Sequence, residues 1–337
     1  MKSENRIFSI LIIVLSLWVA CDQDSPTEPQ NNPPEISSII ANPSQVGLME
    51  TSTLVCKASD PDGDSLEYIW TSSSGTIHGS GDIVNWVAPD SEGIFTANCK
   101  VLDGSGGETS SNVSIEVKQA IPIQGLLAFY PFNGNAQDES GHGNNGEVLG
   151  TATVNSVLSI GDNDTDRLSL PHTILKGLSN FSFSAWLKID VFHTEGYIPG
   201  QRWLSAARQS QDNALSIYYS PNYNAWGITI NDLRYVRFDE NSAMLDNNWH
   251  HVLVSREGTT ARLFLDGVEV GNSITVREDI IDVDPNGFII GQEQDNVGGG
   301  FKQNQSLAGK IDNFRIYNRA LGIEEVQALS NESGWGI

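Results

Sequence analysis

From residue 35 onward apolar and polar residues alternate over short segments, and no stretch sustains the 3.6-residue period of a long helix. Residues 53–58, 66–70, 94–101 and 113–117 each read as a strand bounded by turn residues. Within 94–101, Phe95, Ala97, Cys99 and Val101 share one face while Thr96, Asn98 and Lys100 share the other; Leu54, Cys56 and Ala58 align the same way. A second series of strand-like segments begins at residue 125 and recurs at 181–187, 248–254, 261–268, 287–291 and 307–321. Asp266-Gly267, set between two apolar runs, is a two-residue hairpin signal, because both positions tolerate positive φ. The pattern predicts an all-β protein.

Length and composition sharpen this. A chain of 337 residues favours two domains, and 32 Gly against 3 Met suit many short strands joined by turns. The segments divide into a small sandwich at 35–118 and a larger one at 119–332. A net charge of −23 would repel any polyphosphate, so nucleic acid is excluded as a partner.

The first 34 residues read as an address. Lys2 and Arg6 precede an apolar run at 7–20 that is too short to span a bilayer, which predicts an export signal over 1–20. Of three cysteines, Cys56 and Cys99 fall inside strands and Cys21 is left over where the apolar run stops. Leu17-Trp18-Val19-Ala20-Cys21 resembles the lipobox of bacterial lipoproteins, which implies a lipid on Cys21 and attachment to a bacterial outer membrane. Residues 21–34, with four prolines, then form an extended tether. Asp22 and Asp24 resemble the acidic export signals of surface lipoproteins in Bacteroidetes-like bacteria, so the protein is expected on the surface or in the periplasm.

In the first sandwich the alternation points both cysteines inward, and a bridge between them would close a loop of about 44 residues. The order Cys56, Trp70, Cys99 resembles the immunoglobulin-like arrangement of a Trp packed on an inter-sheet disulfide. Ala97 at the tyrosine-corner position turns the resemblance towards PKD and other bacterial Ig-like modules. Asp60-Pro61-Asp62-Gly63-Asp64 reads either as a turn or as a weak calcium loop; Thr71 at the twelfth position excludes an EF-hand. No pair of groups here suggests catalysis, and the module reads as a spacer.

The later segments, in order and spacing, resemble the LamG-like, concanavalin A-like family, a jelly roll of two stacked antiparallel sheets. The fold class is therefore a small Ig/PKD-like β-sandwich followed by a concanavalin A-like one. The resemblance implies a structural Ca²⁺ where the early Asp-x-Ser-Gly loop meets an Asp near the last strand. Here that would be Asp138, Ser140, Asn144 and Asp312. A glycan site needs exposed aromatic faces beside hydrogen-bonding groups, and residues 216–226 with the segment before them supply Tyr197, Trp203, Tyr218, Tyr223 and Trp226. His250 and His251, adjacent on a strand, point to opposite faces and cannot share one metal.

Catalytic patterns are missing. Glucanases of this architecture resemble one another through Glu-x-Asp-x-x-Glu, whereas here Glu293-Gln294-Asp295 runs on to Gly298. The sequence thus reads as a non-catalytic, lipid-anchored binding protein. It recognises an extracellular glycan or, alternatively, a surface or matrix protein.

Overall fold

The computed structural model describes residues 30–194, 200–209, 211–231, 233–238 and 242–332. The expected export signal, Cys21, most of the expected tether and Tyr197 lie outside the described residues. The chain divides between Lys118 and Gln119 into two compact units.

The first unit contains β1 (Glu35–Asn42), β2 (Gln45–Val46), β3 (Thr51–Ser59), β4 (Glu67–Ser72), β5 (Thr76–His78), β6 (Ile83–Val87), β7 (Gly93–Leu102) and β8 (Glu108–Val117). They form two sheets, ordered β1-β3-β6-β5 and β2-β8-β7-β4, antiparallel except where β2 runs alongside β8. Period-two alternation sends Leu54, Val84 and Trp86 from one sheet and Ala97, Ile115 and Val117 from the other into a shared core. Trp86 is fully buried and its indole N–H donates to the Ser74 carbonyl at 2.8 Å, so its one polar atom is satisfied.

Cys56 on β3 and Cys99 on β7 face each other across the two sheets, as the alternation required. They differ from expectation in state: both are buried thiols, hydrogen-bonded to one another, and no disulfide joins them. Trp70 lies opposite Cys99 in register and packs against the pair while half-buried. The run 60–64 is a turn. Asp60 Oδ1 accepts the backbone N–H groups of Asp62 and Asp64 at 2.8 and 3.1 Å, which closes the loop on itself.

The second unit is a jelly roll. Its strands are β9 (Leu126–Tyr130), β10 (Glu147–Leu149), β11 (Thr153–Val154), β12 (Leu158–Ile160), β13 (Arg167–Leu170), β14 (Phe181–Ile189), β15 (Gln201–Arg208) and β16 (Gln211–Ser220). They continue with β17 (Ala225–Ile230), β18 (Leu233–Arg237), β19 (His250–Glu257), β20 (Thr260–Leu265), β21 (Val268–Glu269), β22 (Ile274–Thr275), β23 (Phe288–Ile290) and β24 (Gly309–Tyr317). One sheet runs β10-β13-β23-β15-β16-β17-β18. The other runs β11-β12-β24-β14-β19-β20-β21, with β9 added to β24 and β22 to β20.

The facing sides of these sheets make one core. Phe181, Phe183, Ala185 and Leu187 come from β14, Leu215, Ile217 and Tyr219 from β16, and Trp226 and Ile228 from β17. Trp203 bridges the layers, its ring 6.2 Å from Trp226 in its own sheet and 5.9 Å from Phe314 in the other, both edge-on. The outer face of the second sheet is covered by α1 (Ile323–Ser330), whose Val326 and Leu329 pack on Leu253, Phe264 and Tyr317. Asp266-Gly267 forms the hairpin read from the sequence, with φ of 49° and 80° between β20 and β21. Among the described residues no helix is long and apolar enough to cross a membrane.

Candidate functional site

The aromatic segment divides between core and surface. Trp203, Tyr219 and Trp226 point between the sheets and are fully buried, so Trp203 and Trp226 are corrected from ligand contacts to core residues. Tyr218 takes the opposite face but is also buried; its ring lies so close over Gly227 that a Cβ there would meet it at 2.3 Å. The Arg202 guanidinium covers that ring at 4.6 Å. Tyr218 is thus sealed under its neighbours and is likewise corrected.

Among the described members of this group Tyr223 alone reaches solvent, at 52% exposure. It stands on the turn between β16 and β17, which closes through hydrogen bonds from Tyr223 N to Ser220 O and from Asn224 N to Pro221 O, both 3.2 Å. Asn224 takes the left-handed conformation that this turn demands, and its side-chain oxygen accepts the Tyr219 hydroxyl at 2.6 Å. Arg237 of β18 lies opposite Gly227 in register, and its guanidinium stacks 3.6 Å from the Tyr223 ring centroid. Arg237 was not foreseen, because no local signal in the sequence ties it to a turn on the neighbouring hairpin. Asn222, exposed beside Tyr223, completes a small surface of one ring, one cation and one amide.

The acidic loop is fastened by hydrogen bonds to its own carboxylate. Asp138 sits on the free edge of β9, where Oδ1 accepts Phe129 N and Ser140 N and Oδ2 accepts Asn144 N, each at 2.9 Å. Ser140 and Asn144 both donate from their side chains to the Leu127 carbonyl, at 3.3 and 2.9 Å. Burial works to raise the Asp138 pKa, but these N–H donors outweigh it and hold the carboxyl below its usual range. Asp312 is on β24, which pairs with the other edge of β9, and it lies buried opposite Trp186. Asp138 thus spends both carboxylate oxygens on backbone N–H groups, and Ser140 and Asn144 spend their side-chain donors on Leu127. Among the described residues no three His, Cys, Asp or Glu side chains form a group that could hold a metal.

The adjacent histidines part company as the strand period requires. His251 turns to the outer face of its sheet, where Nε2 lies 2.8 Å from Ser184 Oγ. This pair is not a nucleophile and its base. The His251 Nδ1 atom, where an orienting carboxylate would belong, is buried without a hydrogen-bond partner among the described residues, and burial, with Arg315 nearby, pushes the ring down to about 3. A neutral, sealed imidazole cannot take up a proton and pass it on near neutral pH. His250 instead bonds Asp266 and Asp246 at the edge of the sheet.

A cleft of about 530 Å³ opens beside the Asp138 loop. Its floor is Arg315, paired to Glu332 through two bonds of 2.7 Å and stacked 3.9 Å from the Phe129 ring centroid. The pairing of β9 with β24 brings Phe129 and Arg315 together here, although they are far apart in the chain.

Residues 162–327 match the family model of the concanavalin A-like lectin/glucanases superfamily, and they form a concanavalin A-like domain. Pentraxin-4 of Homo sapiens is 37% identical over 90 residues, which covers 26% of this chain and 19% of that protein. The chain thus spans about a fifth of the length of the pentraxins it first matches. C-reactive protein of Oryctolagus cuniculus is 26% identical over 170 residues, covering 50% of this chain and 72% of that protein. Among solved structures, a heptameric SAP-like pentraxin from Limulus polyphemus shares 22% identity over 48% of this chain and 74% of its own, with a TM-score of 0.39.

Proposed function

We propose that the protein is a non-catalytic binding protein, held to a bacterial outer membrane by a lipid on Cys21, and that its second unit recognises an extracellular glycan. The observation that carries this reading is the Tyr223 turn: an exposed ring with Arg237 stacked on it and the Asn222 amide beside it. Sugars offer C–H faces to a π system and hydroxyls to amide and guanidinium groups, and this surface holds both kinds of partner. The concanavalin A-like match over 162–327, which contains the turn, supports a binding role. A glycan array probed with the full chain and with Tyr223→Ala tests it. Selective binding that the variant loses is the expected result. Silence of the folded wild-type chain on a broad array would overturn the proposal, as would binding that Tyr223→Ala leaves intact.

A further inference from the structure

The cleft beside the Asp138 loop holds groups that the Tyr223 surface does not use, and its chemistry is distinct. One wall is the segment before β9, where Ile123 is 79% exposed; the other is Leu126 and Phe129 of β9 itself. Ile121, Pro122 and Ile123 thus face Leu126 and Phe129, and together they give the cleft an apolar lining.

The charges in the cleft select its partner. Arg315 is almost fully buried, and both ends of its fork are taken by Glu332, so the ion pair neutralises itself and offers little to an anion. The same guanidinium lies 3.9 Å from the centroid of the Phe129 ring, which is itself half-buried, unlike the exposed ring of Tyr223. Glu139 remains. Its backbone N–H donates to the Phe129 carbonyl at 2.8 Å, which pins the residue to the edge of β9, while its exposed carboxylate has no ion-pair partner among the described residues. Around it the polar groups accept. The Ser140 hydroxyl gives its proton to Leu127, and His142 Nε2 lies 3.0 Å from the Leu126 carbonyl, an arrangement that in the neutral ring leaves Nδ1 as an acceptor.

Apolar walls, an acceptor-rich lip and one unpaired carboxylate complement a cation on an aliphatic stem. We propose that this cleft is a second binding site, taking a peptide segment in which a Lys or Arg side chain is flanked by apolar residues. The stem lies along Ile123 and Leu126, and the charged head meets Glu139. The volume exceeds that of one side chain, which leaves room for an apolar neighbour. The net charge of −23 draws such a segment in from a distance, and the cleft gives it a fixed place.

Fluorescence anisotropy of the full chain with three labelled hexapeptides tests the site: alternating Leu and Lys, alternating Leu and Glu, and alternating Ser and Lys. The Leu/Lys peptide binds and the other two do not. Glu139→Gln and Ile123→Ser each weaken that binding by about tenfold, the loss of one charge-assisted bond or one apolar wall. Both residues are exposed, so neither change threatens the fold. Equal binding of Ser/Lys and Leu/Lys, or full binding in both variants, would mean general attraction to an acidic surface and would overturn the site. Absence of Leu/Lys binding at millimolar protein would overturn it too. The array result bears on Tyr223 and leaves this test independent.

Discussion

His250 Nδ1 lies 2.8 Å from Asp266 Oδ2, and Asp266 is also the first residue of the β20–β21 hairpin turn. One carboxylate therefore shapes a turn and fastens it to the strand before, since Asp266 Oδ1 also accepts His251 N at 2.9 Å. Asp246, 3.0 Å from Nε2, holds the imidazole from the other side.

The hydrogen bond to Asp266 raises the His250 pKa from its ordinary 6.5 to about 9, against burial and with help from Asp246. A histidine whose folded value lies above its unfolded one contributes stability fully below the unfolded value and loses it as pH rises through the folded one. Between pH 6.5 and 10 the wild-type chain should lose about 2 kcal/mol that His250→Gln does not, with allowance for the exposure of Asp246. Urea unfolding of both proteins at several pH values checks this. Parallel curves across that range would refute it.

Asp138 works in the opposite direction. Its folded pKa is lowered, so its contribution is present above the unfolded carboxylate value, near 3.9, and fades as pH falls through the folded one. Asp138→Ala leaves three backbone N–H groups without their acceptor and should cost about 2 to 3 kcal/mol at pH 7. Because these donors already fasten the loop, melting in millimolar Ca²⁺ and in chelator should coincide. A melting point raised by Ca²⁺ and insensitive to it in Asp138→Ala would restore the metal site.

Burial, with the Cys56 hydrogen bond, pushes the Cys99 thiol up to about 12, so the native pair should resist iodoacetamide at pH 8 and react at once in denaturant. The two thiols already touch across the sheets. Refolding the denatured, reduced chain in oxidised glutathione should close them, each sulfur giving up its proton and the pair passing two electrons to the glutathione disulfide, which leaves as two thiols. Mass spectrometry would show the loss of two hydrogens, and closing a loop of about 44 residues should add roughly 4 kcal/mol. Rapid alkylation of the folded protein would contradict the burial.

Trp226 and Tyr223 stand three residues apart and should behave in opposite ways. Trp226→Ala opens a cavity against Trp203 and Tyr219 and should cost about 3 to 5 kcal/mol. Tyr223→Ala, at an exposed turn, should change stability by less than about 0.5 kcal/mol and act on ligand binding alone. Thermal melts of the two variants separate these roles.

The features legible in the amino-acid order are those that depend on neighbours along the chain. Period-two alternation, the Asp266-Gly267 hairpin, the inward-facing Cys56 and Cys99 and the divergence of His250 from His251 all follow from local backbone geometry, and all are present. The aromatic run at 216–226 was legible as strand material, but alternation says only that neighbours face opposite ways. Trp226 and Tyr219 went to the core because the second sheet lies on their side, and Tyr218 was sealed on the other face by Arg202. The distances from Asp138 to Asp312 and from Arg237 to Tyr223 depend on which strands pair, β9 with β24 and β17 with β18. Such pairings join residues that are remote in the chain, and burial of the whole apolar face selects them, so only the tertiary structure decides which side chains meet.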